Sequence, residues 1–381
     1  MSTIEHDDRK ALDGSADVVR LPGGAEIAAH IKLIDDAAPT IYTWRYDRER
    51  DQLVTLYEKA AASQWNSAVD LDWSTDVDPE ELVRVDTPLM QLVREATTLP
   101  GSPIASWRDK ELTEVAIELL KANLSQFMHG EQGAMMTAAK IVETVPWIDA
   151  KYYASTQVMD EARHTEVFAR YLHTKVGDAY PMGPALEAQI TTLLEDERWD
   201  FAYLGMQIVI ESLALAAFGD LLRRTDEPLL AKLLRYVMAD EARHVAFGVL
   251  SLGEYYEHLS SNQLKDRQEF LLENTIRNRS RTLMPEVWER MEVDIVQLLP
   301  FLRAAREATG AEPFAAFNRG FFAKLVPNVR KLGLLDANDG YLRSQWAEFG
   351  LLEFEHADDT ATDYAAYDAV ARDRAAASAA G

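Results

Sequence analysis

The chain contains the pentapeptide Asp-Glu-Ala-Arg-His twice, at 160–164 and at 240–244. In each copy the glutamate lies three residues before the histidine, and another glutamate occurs thirty residues before the copy's own glutamate. A constant offset of eighty residues relates the two sets, which are Glu131, Glu161 and His164 in the first half and Glu211, Glu241 and His244 in the second. This spacing indicates an internal duplication whose repeated residues are carboxylates and imidazoles.

These residue types at this spacing are suited to metal binding. A Glu and a His three residues apart on a helix lie about 60° from each other, so both can point into one bundle interior. A single Glu on the neighbouring helix completes each set. Four carboxylates and two imidazoles offer ligands to two divalent ions, and the charges balance, whereas four buried glutamates without cations would be very costly. We therefore predict a site for two ions of the iron class.

Glu211 strengthens this prediction, because it lies in the segment GMQIVIESLALAAFGDLL, which is too apolar to give it a solvated helix face. The alternative is that Glu-x-x-His is a chance surface pattern, or that the repeat is an old duplication without a site. The doubled pattern with its matched upstream glutamates favours the metal site.

Two aspartates and two arginines in the repeats are candidates for orienting the ligands. Asp160 and Asp240 immediately precede the ligand glutamates, and Arg163 and Arg243 follow the aspartates by three residues. Each Asp can accept the free N–H of the histidine on the opposite helix, while the Arg holds the Asp. The alternative is a solvated Asp–Arg pair.

Helical periodicity predicts the elements that position these residues. Long helices are predicted for four successive stretches, which are 109–144, 148–176, 186–224 and 227–256. Pro146, KVGDAYPMGP and TDEP separate them, and four such helices in succession indicate a four-helix bundle. Further helices are predicted at 48–68 and between 262 and 331, with breaks at Pro285, Pro300 and Gly310, and strand signals are nearly absent.

The domain prediction has three parts. Residues 1–25 form a mobile N-terminal arm, residues 26–355 form one helical domain with its metal-binding bundle at about 105–256, and residues 356–381 form a flexible Ala/Asp-rich tail.

Composition excludes several classes of function. The 381 residues include 39 Lys and Arg residues and 63 Asp and Glu residues. The resulting net charge of -24 argues against nucleic acid or an anionic membrane as a partner. Without cysteine the chain has no disulfide, thiolate metal site or Fe–S cluster. The N-terminus lacks the features of a signal peptide, and no apolar run reaches the length expected of a membrane span, so we expect a cytoplasmic protein.

With these motifs, residues 105–256 resemble the ferritin-like diiron-carboxylate proteins. That superfamily includes bacterial monooxygenase hydroxylases, acyl carrier protein desaturases, the ribonucleotide reductase small subunit and arylamine N-oxygenases. The resemblance implies an all-α, ferritin-like four-helix bundle in which Glu131 and His164 bind one iron. Glu211 and His244 would bind the other, and Glu161 and Glu241 would bridge the pair. The implied cofactor is two Fe ions or a mixed Mn/Fe pair, with O₂ as co-substrate.

The chain departs from several members of this superfamily. Reductase small subunits commonly have Asp at the position of Glu131 and a radical tyrosine at that of Phe168, so radical storage is not expected. Hydroxylases usually have Thr where this chain has Leu215, and N-oxygenases carry an additional histidine ligand where it has Val237.

The expected function is that of an O₂-dependent monooxygenase or oxidase, in which two reduced irons form a peroxo species and oxidise a small organic substrate. Side chains one turn from the ligands are predicted to form an apolar substrate pocket: Phe127, Ala134, Met135 and Leu215. Gln207, which is also predicted to line the pocket, and Gln157 are the polar exceptions among the residues at this distance. Their alternative is plain core packing.

Electrons are expected from an external reductase or ferredoxin, because the chain has neither cysteine nor a glycine-rich dinucleotide fingerprint. A homodimer is also expected. Three alternatives stay open: a ferroxidase or Fe/Mn-binding protein without an organic substrate, an enzyme similar to arylamine N-oxygenases, and a scaffold without metal.

Overall fold

The computed structural model of the chain describes residue 34 and residues 38–279 and 283–358. The predicted arm at 1–25 lies outside the described residues, and so does the tail at 356–381 except for its first three positions. The described ranges contain helices and no strand, which confirms the predicted all-α class. The assignment of 26–355 to one domain stays a prediction.

The helices are labelled in chain order. They are α1 (Asp51–Ala62), α2 (Ser67–Asp70), α3 (Pro79–Leu82), α4 (Pro88–Thr98), α5 (Asp109–Thr144), α6 (Ile148–Tyr171), α7 (Pro184–Glu195), α8 (Trp199–Arg224), α9 (Pro228–Tyr256), α10 (Ser261–Arg279), α11 (Pro285–Arg290), α12 (Ile295–Thr309), α13 (Ala315–Lys331) and α14 (Ala337–Glu348). The described residues include two π-helical segments: Leu172–Val176 continues α6, and Leu204–Ile210 lies within α8.

Four of these helices form the predicted bundle. Helix α5 packs against α6, α8 packs against α9, and the two pairs meet through contacts of α6 with α9 and of α8 with α5. Each pair is joined by a short connection where the chain reverses direction: Pro146 lies in the first connection, and Pro228 is the first residue of α9 after the second. Outside the bundle, α1 packs on α6 and α9, and α13 packs on α8.

The predicted helix at 186–224 is wrong in one respect, because the structure divides it into α7 and α8. The break at residues 196–198 contains neither Gly nor Pro. Instead, the carboxylate of Asp196 accepts hydrogen bonds from the backbone N–H of Arg198 and from its guanidinium. This local bonding competes with the helix, as Asp side chains commonly do. The break expected at Pro300 is also not formed, since Pro300 lies inside α12.

Helix α8 corrects the expectation that no apolar run is long enough to span a membrane. By length and composition α8 could cross one, but most of it is buried inside the protein. It is the apolar helix that carries Glu211, and its burial among α5, α9 and α13 accounts for its composition.

Candidate metal centre

The six repeated Glu and His residues converge at the centre of the bundle. They form two overlapping groups: Glu131 and His164 belong to one, Glu211 and His244 to the other, and Glu161 and Glu241 belong to both. Within each group the potential ligand atoms lie within 4.8 Å of one another. All six residues are buried. Helices α5, α6, α8 and α9 each contribute to this cluster, so the duplication in the sequence becomes a duplication in space.

Both histidines turn the same ring nitrogen towards the carboxylates. His164 Nδ1 lies 3.3 Å from Glu131 Oε2 and 3.1 Å from Glu241 Oε1. His244 Nδ1 lies 2.9 Å from Glu241 Oε2 and 3.1 Å from Glu161 Oε1. Glu211 is further away, with 3.6 Å between its Oε1 and His244 Nδ1. Nδ1 is therefore the nitrogen that would bind a metal ion.

The other ring nitrogens face the two aspartates in the crossed pattern that the sequence suggests. His164 Nε2 lies 3.0 Å from Asp240 Oδ2, and His244 Nε2 lies 3.3 Å from Asp160 Oδ2. An N–H at Nε2 leaves Nδ1 with its lone pair, the form of histidine that binds metals. Each aspartate thus selects the tautomer of the histidine in the opposite repeat.

Two arginines hold these aspartates. Arg163 Nη2 donates to Asp160 Oδ1 at 2.5 Å and lies 3.2 Å from Asp240 Oδ2, while Arg243 pairs with Asp240. Burial disfavours a charge on Asp240, but Arg243 and His164 outweigh it and hold the pKa of its carboxyl well below its usual range. Asp240 is therefore a carboxylate at neutral pH.

Two further residues reach this network from outside the bundle, and the sequence analysis missed them. Trp65 donates its indole N–H to Asp240 Oδ2 at 2.8 Å, and the Gln64 amide donates to Asp160 Oδ1 at 2.9 Å. The Gln64 carbonyl oxygen accepts from Arg163 at 2.7 Å. Both residues follow α1 and lie within the stretch predicted as a helix at 48–68. Nothing in the spacing links them to aspartates about a hundred or more residues away.

The charges of the cluster indicate that it fits cations. Burial first, and the neighbouring glutamates second, raise the pKa of Glu131 and of Glu211 well above the usual value. Burial disfavours protonation of the histidines, but nearby carboxylates outweigh it and raise the pKa of both. The cluster thus retains protons where cations could bind. Glu161 Oε2 and Glu241 Oε1, the candidate bridging carboxylates, accept no hydrogen bond among the described residues. This donor set fits two divalent ions.

A cavity of about 450 Å³ reaches the cluster from one side. Its lining includes Glu131 and Glu211, and its other residues near them are mostly apolar. Apolar side chains of α5 and α8 form this wall: Ala122, Phe127, Ala134, Met206, Ile210, Ala214, Ala217 and Phe218. The π-helical segment ends immediately before Glu211, and such segments are frequent at functional sites.

Of the five predicted pocket residues, Phe127 and Ala134 line this cavity. The other three do not belong to its lining. Leu215 packs in a core cluster, Met135 is half-buried next to Ala134, and Gln207 is bonded to Gln157 inside the bundle. A residue one turn from a ligand does not have to line the cavity, because the residues within one turn lie on several faces of the helix and only some of these faces border the cavity.

Comparisons with known proteins add little to this geometry. No family model matches the chain, and no curated protein matches it. Two similar solved structures are variants of an R2-like ligand-binding oxidase. One, with an anaerobically reconstituted Mn/Fe cofactor, is 14% identical over 75% of this chain and 98% of its own, with a TM-score of 0.41. The other, reconstituted aerobically, is 15% identical over 76% and 97%, also with a TM-score of 0.41. At these sequence identities and TM-scores, the similarity does not support an argument about function.

Proposed function

We propose that this chain is an O₂-dependent oxidoreductase, a monooxygenase or oxidase, that uses two iron-class ions to oxidise a small organic substrate. Glu131 and His164 would hold one ion and Glu211 and His244 the other, and Glu161 and Glu241, which belong to both groups, would contribute to both positions. Two Fe ions or a Mn/Fe pair would supply redox chemistry with O₂. The proposal rests on the metal-type donor set of the cluster.

The observation that favours an organic substrate is the position of Glu131 and Glu211 in the wall of a cavity that α5 and α8 line mostly with apolar side chains. A molecule in that cavity would lie beside both ligands, in a volume that suits a small organic compound. A protein that only oxidises Fe²⁺ has no need of apolar walls. The apolar side chains beside the two glutamates favour an apolar substrate or an apolar part of one.

The surrounding residues would fix the ligands rather than react. Asp160 and Asp240 keep both histidines in the tautomer with a free Nδ1, and Arg163 and Arg243 hold the aspartates in place. We further propose an external reductase or ferredoxin as the electron donor, because the chain has no cysteine for an Fe–S cluster. A cytoplasmic location and a homodimer belong to the same proposal.

The test compares the wild-type protein with Ala214→Phe, which would fill part of the cavity. Both proteins are loaded anaerobically with Fe²⁺, exposed to O₂ with a panel of aliphatic, aromatic and amine compounds, and assayed for oxidised product. We expect product from wild type and a loss of about tenfold or more in Ala214→Phe, with two metals per chain in both. Oxidation of Fe²⁺ at equal rates in both proteins, without product from any compound, would establish the ferroxidase alternative instead.

A further inference from the structure

Two buried glutamines lie next to the metal cluster on one side only. Gln157 and Gln207 each precede a ligand glutamate by four residues, and both are fully buried. The Gln157 Nε2 atom lies 3.0 Å from Glu161 Oε1 and 3.1 Å from Glu211 Oε1. One amide group therefore contacts two of the proposed ligands, which come from different helices.

The second glutamine sets the orientation of the first. Gln207 donates its amide N–H to Gln157 Oε1 at 2.7 Å, and the Gln157 Nε2 atom lies 3.2 Å from Gln207 Oε1. With its oxygen occupied in this way, Gln157 presents its NH₂ group to the carboxylates. The reversed amide would place its oxygen against theirs, which is repulsive.

A glycine provides the space for this pair. Gly248 lies one turn after His244, and a Cβ atom added there would lie 2.4 Å from the Cβ of Gln207. Real Cβ contacts are essentially never that short. Gly248 thus allows α8 and α9 to approach closely where Gln207 enters the bundle.

The other half of the duplicated site has no such arrangement. The offset of eighty residues pairs Gln157 with Val237, Gln207 with Phe127 and Gly248 with Phe168. We call the first three residues the Gln side and the second three the Phe side. On the Phe side the rings of Phe127 and Phe168 pack edge to face with centroids 5.7 Å apart.

The two sides hold their terminal glutamates differently. Glu211 is next to the Gln157 amide, whereas the closest polar contact described for Glu131 is with His164 Nδ1, at 3.3 Å. Hydrogen bonds from neighbouring groups orient a metal ligand and raise its affinity for the ion. A ligand that is already oriented loses less conformational freedom when the metal binds.

We propose that Gln157, oriented by Gln207, holds Glu211 and Glu161 in place for a metal ion, so that the Glu211/His244 position fills before the Glu131/His164 position. This inference rests on the proposed function only in taking the six residues as metal ligands. Gln157 acts as a positioning residue, and the two metal positions are inequivalent despite their repeated sequence.

The test is a stepwise titration of the metal-free protein with Mn²⁺ under argon, followed by electron paramagnetic resonance, which distinguishes isolated from paired Mn²⁺. For wild type we expect isolated Mn²⁺ up to one equivalent and paired ions beyond it. Gln157→Leu should weaken the first binding step by about 10- to 100-fold, the range for loss of a group that supports a ligand. Val237→Leu introduces the same side chain at the equivalent position of the Phe side and should leave the first step unchanged.

An unchanged first step in Gln157→Leu would overturn the inference. If that variant does not fold, Gln207→Met provides a second test, because it removes the orienting contact and keeps Gln157, and a weaker first step is again expected. Independently of any variant, anomalous diffraction from wild-type crystals with one equivalent of Mn²⁺ should locate the ion between Glu211 and His244. An ion found between Glu131 and His164 would contradict the order of filling.

These measurements do not depend on turnover. If the two metal positions fill in order but the protein oxidises no substrate, this inference is supported and the proposed function is contradicted. Substrate oxidation in a protein that fills both positions together would have the opposite consequence.

Discussion

The two halves of the candidate metal centre carry the same candidate ligands but different surroundings. Both halves present Glu, Glu and His at the same spacing, and both use an Asp–Arg pair to hold a histidine. Around these residues, the Gln side offers amide groups to the carboxylates, and the Phe side offers rings. On our proposals, the duplication fixes which atoms can bind metal, while the residues one turn away determine how firmly each ligand is held.

The largest effect is expected from removing a ligand of the Gln side. Glu211→Ala should prevent binding of a metal pair, because it removes one of four carboxylates that balance the charge of two divalent ions. Metal analysis of protein expressed with iron should then give no more than about one ion per chain, since the Glu131 position alone remains complete. The control is Glu118→Ala, which removes a buried glutamate outside the site, bonded to Lys121 and Tyr180. Two ions per chain in Glu211→Ala would refute the ligand assignment.

On the Phe side, we expect a substitution to have a large effect on stability and a small effect on the affinity for the first metal ion. Phe168 is fully buried and packs on Phe127 and Phe218, so Phe168→Ala should lower the free energy of unfolding by about 3–5 kcal/mol. Urea denaturation of the metal-free protein measures this loss. Phe321→Ala, at another fully buried phenylalanine in α13, should cost a similar amount. A tenfold loss of first-step Mn²⁺ affinity in Phe168→Ala would mean that the two sides do not differ as we describe.

A smaller effect is expected from Gly248→Ala, which crowds the Gln side. Its added methyl would meet the Cβ of Gln207, and overpacking of this kind costs about 1–3 kcal/mol. Gly253→Ala lies on the same helix with no atom within 4 Å of the added Cβ, so it should stabilise the protein by up to about 1 kcal/mol. Thermal unfolding of both variants provides the comparison. Equal effects of the two substitutions would show that Gly248 has no special role in packing.

A further effect is expected from pH on the metal-free protein. The pKa of His164 and of His244 is raised in the folded state above the usual 6.5, so their stabilising contribution is complete below pH 6.5 and is lost as pH rises through the folded pKa. The raised pKa of Glu131 and Glu211 has the same sign. Denaturation at pH 6 and pH 9 should therefore show lower stability at the higher pH. Metal affinity should rise over the same range, because protons compete with the ions.

The sequence predicted the cluster of six Glu and His residues and the bundle because both follow from periodic patterns in the sequence. The offset of eighty residues and the four long amphipathic stretches needed no knowledge of tertiary contacts. The break before Trp199 was not predictable in this way, because it depends on the side-chain bonds of Asp196 rather than on Gly or Pro. The π-helical segment before Glu211 likewise has no signature that the periodicity would reveal.

Residues that act through tertiary contacts were partly missed for the same reason. Gln64 and Trp65 reach the aspartates because α1 packs on α6 and α9, and this packing has no local signal. Leu215 and Gln207 were assigned to a pocket on spacing alone. Their true neighbours depend on which faces of α8 are covered by α9 and α13, which is a property of the whole fold.

The most direct test of the metal centre is a crystal structure of the protein loaded with iron, with anomalous diffraction recorded at the iron absorption edge. We predict two peaks, one bound by Glu131 and His164 and one by Glu211 and His244, with Glu161 and Glu241 between them. A structure of iron-loaded protein with no anomalous peak in this cluster, or with peaks bound by other residues, would contradict the account.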